Sequence, residues 1–328
     1  LSNKGKKMNR RMIVSDIGGT NGRFAVAEFI GENDIPEISD IQVLTCSDYP
    51  RFSDMLAAYV KRFDDDIPKT AHFAVAGEMT PEYGNLWHYN WDISAAELEQ
   101  EFNFTRVTLL NDYEALVQAV PYFSENDLKS ITKKEKGIHN APFTVFGVGS
   151  GLGGSIGIPS KSGLKVVPTE IGHISFAPKS ELEGELLNFT RKTVDHVSIE
   201  TLLSGDGIKR IHDFILDKFG GPSKTMSASD ITAAAKKGNI DSCIKAVDLF
   251  LAILASTTGD IAVAQGAKGG IYIGGGIIPK IYSLIDKDSF FERYTDKGPM
   301  RRYVEKVPVH VITSDMPALL GAALAPSR

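Results

Sequence analysis

An α/β fold with mixed sheets, spread over about two domains, is what this sequence predicts, and three observations carry that prediction. Apolar runs of strand length alternate with segments of helical period. The 31 glycines gather at three places, 18–22, 147–157 and 269–276, as sharp turns require. The 328 residues, at roughly 150 per domain, suffice for two cores.

The elements follow in order. MIVSDIGGTNGRFAVAEF is an apolar run, a Gly/Asn turn and an alternating run, the pattern of a β-hairpin. FTVFGVGSGLGGSIGI repeats it, with Gly149 aligned on Gly18 and Gly153 on Gly22, a weak internal duplication that gives each half one glycine hairpin. Between them the pattern predicts a strand over 72–76, a helix over Ala95–Phe102, a strand over 107–111 and a helix starting at Asp112 or Tyr113. Helices are expected over 208–219, stopped by Gly220, Gly221 and Pro222, over 231–237, and over 244–264. In the last of these Ile244, Val247, Phe250, Leu254 and Ile261 fall near a helical period, which marks a buried helix. A strand over 270–273 runs into the third glycine group, a strand covers 307–313, and a helix with proline in its first turn covers 317–324.

Composition excludes several functions. With 36 Lys+Arg against 41 Asp+Glu the net charge is −5, which gives no general attraction to nucleic acid or acidic membranes. A mean hydropathy of −0.09 and the short apolar run at 249–255 argue against membrane spans. Cys46 and Cys243, the only two cysteines, form no CxxC pair, so neither a disulfide framework nor a cysteine zinc site is expected. The basic start, LSNKGKKMNRRM, has no apolar segment after it and reads as a solvated tail.

Context decides three motif matches. GSGLGG at 149–154 satisfies GxGxxG, yet SIGIPSKSG after it does not continue as the helix a dinucleotide site needs. Gly153, Ser155 and Gly157 satisfy GxSxG without the strand and helix of a nucleophile elbow. No GxxxxGK[ST] occurs. The glycine turns are left as plain hairpins or as phosphate cradles of bare backbone N–H groups. Asp16, just before the first turn, is placed to hold the water shell of Mg²⁺. GGGI at 274–277 ends a strand before a helix, which would admit a nucleotide. Asn111 and Asp112 are either a helix N-cap or a substrate site. Glu170 and His173 flank a glycine, and His173 reads equally as a core histidine; Glu200 alone is an ordinary helix residue.

Taken together, DIGGTN at 16–21, LLNDYEA at 109–115, GVGSGLGGSIG at 147–157, PTEIGHISFAP at 168–178, HVSIETLLSGDGI at 196–208, YIGGGIIP at 272–279 and MPALLGAA at 316–323 closely resemble bacterial-type glucokinases, in family order and from Met12 onward. The resemblance implies a two-lobed actin-like ATPase (ribonuclease H-like) fold with a central cleft, made of a small domain over 8–111 plus 314–328 and a large one over 112–313. It implies ATP, Mg²⁺ and glucose as ligands, phosphorylation of the glucose 6-hydroxyl, a homodimer and a cytoplasmic location. Asp112 would be the catalytic base. Asn111, Glu170, His173 and Glu200 would bind sugar hydroxyls with it. Ser15, Asp16, Ile17, Gly18, Gly19, Thr20, Asn21, Gly149, Ser150 and Gly151 would hold phosphates, and Gly275 and Gly276 adenosine.

Two positions depart from the family pattern. Ser150 stands where threonine is usual, which keeps a hydroxyl, and the stretch before Trp91 reads Trp87, His88, Tyr89, Asn90 in place of a Thr-Asn pair. Competing readings are a kinase for another hexose or an N-acetylhexosamine, a non-catalytic sugar sensor on the same fold, and a serine hydrolase.

Overall fold

The computed structural model describes residues 10–31, 35–64, 66–86, 89–132, 137–221 and 225–327. The chain divides into two compact units, the first running to Ser124 and resuming at Ser314, the second spanning Glu125–Thr313. The sequence reading placed this break at 111/112. It falls later because the helix that begins at Asp112 packs within the first unit.

The first unit is built on a five-stranded sheet of β1 (Arg10–Ile17), β2 (Asn21–Phe29), β3 (Glu37–Thr45), β4 (Thr70–Val75) and β8 (Arg106–Asn111), in the order β3-β2-β1-β4-β8. The first three strands form an antiparallel meander, and β1, β4 and β8 run parallel. Ile17, Val75 and Asn111 are level across the parallel strands, so the first glycine turn and the start of the next helix share one sheet edge. A small sheet, β5 (Glu78–Met79), β6 (Tyr83–Leu86) and β7 (Trp91–Ser94), follows β4. One face of the large sheet buries Ile13, Ile17, Phe24 and Phe73 with Phe52, Met55 and Tyr59 of α1 (Phe52–Val60). Phe24 stacks on Tyr59 at 5.2 Å and Phe52 meets Phe73 edge-on at 5.1 Å; each such ring contributes about 1.5–3 kcal/mol by burial. Helix α2 (Ala95–Phe102) starts where Ser94 Oγ accepts from Glu97 N and stops at Asn103, in the left-handed conformation.

Against the sheet lie α3 (Asp112–Ala119) and the last helix, α12 (Pro317–Leu324). Gly321 lets these two helices meet backbone to backbone, since a Cβ there would lie 1.7 Å from the Ala115 carbonyl oxygen. Returning the chain terminus to the first unit thus also seats the helix that carries Asp112.

The second unit repeats the wiring. Its six strands are β9 (Leu128–Ser130), β10 (Phe143–Val148), β11 (Leu152–Ser160), β12 (Gly163–Thr169), β13 (Gly270–Gly274) and β14 (Val309–Ile312), in the order β12-β11-β10-β13-β14-β9. Again an antiparallel meander, β10-β11-β12, is followed by parallel strands β13 and β14, with β9 added antiparallel at the edge. The duplication is real in topology but one residue out in register. Ile17 pairs with Gly22 around residues 18–21, whereas Val148 pairs with Leu152 around 149–151. After GSGLGG the chain continues as strand β11, not as a helix.

Helices α4 (Glu181–Thr190), α5 (Ile199–Leu202), α6 (Gly205–Phe219), α7 (Ala228–Lys237), α8 (Asp241–Ala264), α9 (Ile278–Ile281), α10 (Lys287–Thr295) and α11 (Arg301–Val304) complete the unit. α6 and α7 begin three residues before their apolar patterns because Ser204 and Ser227 cap them; α6 ends at Gly220, at φ +73°, and Pro222 lies outside the described residues. α8 is long and apolar enough to cross a membrane by length and composition, which the shorter apolar run concealed, yet 78% of that segment is buried in the protein. Val247, Phe250, Leu254 and Ile261 sit in the core, so α8 is the central helix of the unit.

One buried histidine ties the terminus down. His72 of β4 lies 2.8 Å from the Ala322 carbonyl oxygen through Nδ1 and 3.2 Å from Ser327 Oγ through Nε2. A carbonyl only accepts, so Nδ1 carries a proton. Burial, the larger effect, holds its pKa below the ordinary 6.5 despite the bond to Ala322. A histidine with a depressed folded pKa contributes stability above the unfolded value and loses it as pH falls below. The melting temperature is therefore expected to drop on acidification from pH 7.5 to 5.5, and to drop less in His72→Gln. Parallel pH profiles for the two proteins would show that His72 has no part in acid sensitivity.

Candidate active site

The first turn places a carboxylate under bare backbone. Antiparallel pairing sets Asp16 across from Arg23, and Arg23 Nη1 lies 3.2 Å from Asp16 Oδ2. Burial raises the Asp16 pKa, and the guanidinium opposes that rise. Gly18 N–H closes the turn on the Asn21 carbonyl at 3.0 Å, and Gly19, Thr20 and Asn21 are exposed. Tyr89 Oη donates to the Gly19 carbonyl at 2.9 Å. Ser15 and Ile17 are fully buried, backbone as well as side chain, a burial that their proximity in sequence did not reveal.

The end of β8 shows which of the two residues caps the helix. Asn111 is the N-cap of α3: its Oδ1 accepts from Tyr113 N at 2.9 Å, and Glu114 returns to Asn111 N at 3.1 Å, completing a capping box. Its Nδ2 donates to the Gly77 carbonyl at 3.1 Å. The capping box therefore belongs to Asn111, while Asp112 Oδ1 also accepts from Tyr113 N at 3.0 Å. Burial first, and then repulsion from Asp16, push the Asp112 pKa up to about 7, against the opposing bonds from Tyr113 and Asn111. A carboxyl that titrates near neutrality is suited to taking up a proton.

In the second unit the predicted residues gather around the turn at 149–151. Gly149 N–H bonds to the Gly151 carbonyl at 2.8 Å, and the Gly149 carbonyl accepts from Gly205 N at the start of α6, at 2.9 Å. Glu200, on the first turn of α5, accepts from Leu152 N at 2.7 Å, so this acid braces the turn directly. The segment of Glu170 and His173 is stitched to Glu200's segment by Ile199 N to the Ile174 carbonyl, 2.9 Å, and Phe176 N to the Val197 carbonyl, 2.9 Å. Glu170 Oε2 and His173 Nε2 stand 3.9 Å apart, with side chains 89% and 64% exposed, so His173 is not a core histidine. The third glycine group docks on β10: Ile277 N donates to the Val148 carbonyl at 3.1 Å. The helix after it, α9, is a single turn of four residues and supplies less dipole than the sequence suggested.

Three partners escaped the sequence reading. Arg23 was recoverable, because a hairpin with a four-residue turn sets it opposite Asp16. Gly205 and the carbonyl of Gly77 act through the backbone and leave no side-chain signal. Trp87 and His88 of the atypical loop lie outside the described residues.

Phosphate and a hard cation fit what is present in the first unit. A Cβ at Gly19 would meet nothing within 4 Å, which leaves its amide approachable. Among the described residues no three His, Cys, Asp or Glu side chains gather to hold a metal by themselves. One carboxylate such as Asp16 is nonetheless the usual protein share for Mg²⁺, which takes most of its ligands from water and phosphate.

The family model for glucokinase matches residues 13–328. The chain belongs to the glucokinase family. The glucokinase of Saccharophagus degradans is 35% identical over 95% of this chain and 96% of its own. The crystal structure of a glucokinase from an Antarctic psychrotroph matches with a TM-score of 0.85 at 32% identity, over 96% of this chain and 98% of that one. A ROK-family glucokinase from Streptomyces griseus, solved with glucose and AMPPNP, shares the actin-like fold at a TM-score of 0.60 and 17% identity, over 96% and 98% of the two chains. Membership of the glucokinase family makes the chain an enzyme of ATP-dependent glucose phosphorylation.

Gly275 and Gly276 provide a matched test of the third glycine group. Gly275 has φ +86° and a Cβ there would lie 2.4 Å from the Val148 carbonyl oxygen, whereas one at Gly276 would meet nothing within 4 Å. Gly275→Ala is expected to cost about 1–3 kcal/mol in urea unfolding, and Gly276→Ala to stay within about 0.5 kcal/mol of the parent. Equal stabilities would mean that the turn is not held against Val148.

Proposed function

We propose that Asp112 is the general base that takes the proton of the glucose 6-hydroxyl as the γ-phosphoryl group of ATP is transferred. The observation that supports this reading most is that Asn111 takes the capping role and leaves Asp112 a half-buried carboxyl beside Asp16, titrating near 7. Asn111, Glu170, His173 and Glu200 hold the sugar hydroxyls. The backbone of 18–21 and of Gly149, Ser150 and Gly151 holds phosphates, with Ser150 exposed at its turn. Gly275 and Gly276 lie against adenosine. Asp16 holds Mg²⁺ through water, and that ion supplies charge stabilisation to the phosphates when bound.

The chemistry asks little more of the protein. Phosphoryl transfer is mainly positioning and charge stabilisation. The base orients the attacking oxygen and accepts its proton, typically worth 10²- to 10⁴-fold. Carboxylates that pair several sugar hydroxyls reject analogues lacking one, because an unpaired buried acceptor is costly. A panel of glucose, mannose, fructose and N-acetylated hexosamines, followed by ADP release, separates glucose from the competing sugars.

Asp112→Asn keeps the size and removes the base. It is expected to lower kcat by at least ~10²-fold with glucose still bound and the fold intact. The base must be ionised to act, so kcat/KM of the parent should fall as pH drops through about 7. Turnover near that of the parent would return Asp112 to a structural role.

Glu200 is asked to do two things, and its variants separate them. Glu200→Gln keeps an acceptor for Leu152 N but loses the charge, so KM for glucose should rise roughly ten- to a hundredfold, more than KM for ATP. Glu200→Ala also frees the Leu152 amide and should raise both. Equal effects of Glu200→Gln on the two substrates would assign Glu200 to turn bracing alone.

A further inference from the structure

We propose that His212, Met226 and Cys243 form a binding site for a soft monovalent metal ion, copper(I) or silver(I), inside the second unit and separate from the glycine turns. The three donors come from α6, from the residue before the N-cap of α7, and from the first turn of α8. Cys243 Sγ lies 3.7 Å from His212 Nε2 and 3.9 Å from Met226 Sδ. Donors about 120° apart on one ion, with N and S bonds of about 2.0–2.3 Å, stand roughly 3.5–4.0 Å apart, and the two separations that Cys243 makes, to His212 and to Met226, fall in that range. Hydrogen bonding accounts for them less well, because His212 Nε2 already meets Ser242 Oγ at 3.1 Å and a thioether is a weak acceptor.

Burial and charge then select the ion. Cys243 is fully buried and His212 is 3% exposed, while Met226, partly exposed, stands on the outer side. One thiolate neutralises one monovalent ion, whereas a divalent ion would leave a net positive charge in an apolar core. Thioether, thiolate and imidazole together are a soft set that favours copper(I). Zinc, which wants four N, O or S ligands, finds no cluster of three His, Cys, Asp or Glu among the described residues. On binding, the Cys243 S–H bond breaks, an S–metal bond forms and the proton leaves to solvent. No electron is transferred, because the ion arrives in the +1 state.

The test is an anaerobic titration of the reduced, full-length chain with copper(I) buffered by bicinchoninate, repeated with silver(I) and zinc(II). One equivalent of each monovalent ion should bind, with about one proton released, and zinc(II) should not compete. Cys243→Ser should weaken binding by at least ~10²-fold, and Met226→Leu, a near-isosteric change at a partly exposed position, by about tenfold or more. Circular dichroism confirms that each variant is folded. Cys46→Ser, which alters the other thiol, should leave binding unchanged. Binding that survives both Met226→Leu and Cys243→Ser, that disappears instead in Cys46→Ser, or that is as tight for zinc(II), would overturn the assignment.

Discussion

Two carboxylates sharing one sheet edge are the constraint around which the first unit is arranged. Asp16 leaves β1 and Asp112 follows β8, and the register that makes Ile17, Val75 and Asn111 level brings them close enough to repel. Like charges in a partly desolvated place raise each other's pKa. Arg23 offsets the rise at Asp16, whereas at Asp112 burial, the larger effect, and the repulsion from Asp16 together leave a carboxyl titrating at about 7. The capping box of Asn111 and Glu114 and the close contact of α3 with α12 hold Asp112 where that stress persists.

The second unit uses the same wiring for a different end. Where β1 presents Asp16, the equivalent place on β10 is Gly147, whose neighbour on β13 is Gly274. The acid is replaced by backbone, and a carboxylate reaches the turn from outside, from Glu200 on α5. One copy of the duplicated sheet therefore presents acids at its turn, and the other presents amides braced by an acid. Carboxyl ends of parallel strands are where α/β sheets commonly bind ligands, and both units put their glycine turns there.

Glucokinase family membership accounts for which residues stand at these places, and the geometry accounts for how they are kept there. His72 fastens the returning terminus to β4, and α8 runs through the core of the second unit. The Cys243, His212 and Met226 contact belongs to that core rather than to either turn, which is why sugar phosphorylation does not explain it.

The α/β class, both hairpins and several helices were legible in the sequence, because strand alternation, glycine turns and helical apolar period are local signals, although the starts of α6 and α7 at the Ser204 and Ser227 caps were missed. The rest needed the tertiary structure. No local rule says whether Asn111 or Asp112 caps α3, since both side chains accept from nearby amides; the Glu114 return bond and the Gly77 carbonyl decide it. Glu200 looks like any helix residue until α5 is folded against Leu152. The second hairpin's register differs by one residue from the ungapped alignment, because pairing is set by the turn that fits and not by sequence similarity. α8 passes for a membrane span by composition and becomes a core helix only because a second unit exists to bury it. What the chain determined by itself were the elements and their chemistry; which groups are buried together, and so which of them titrate, brace or bind, was decided by packing, since desolvation and hydrogen bonding depend on neighbours distant in sequence.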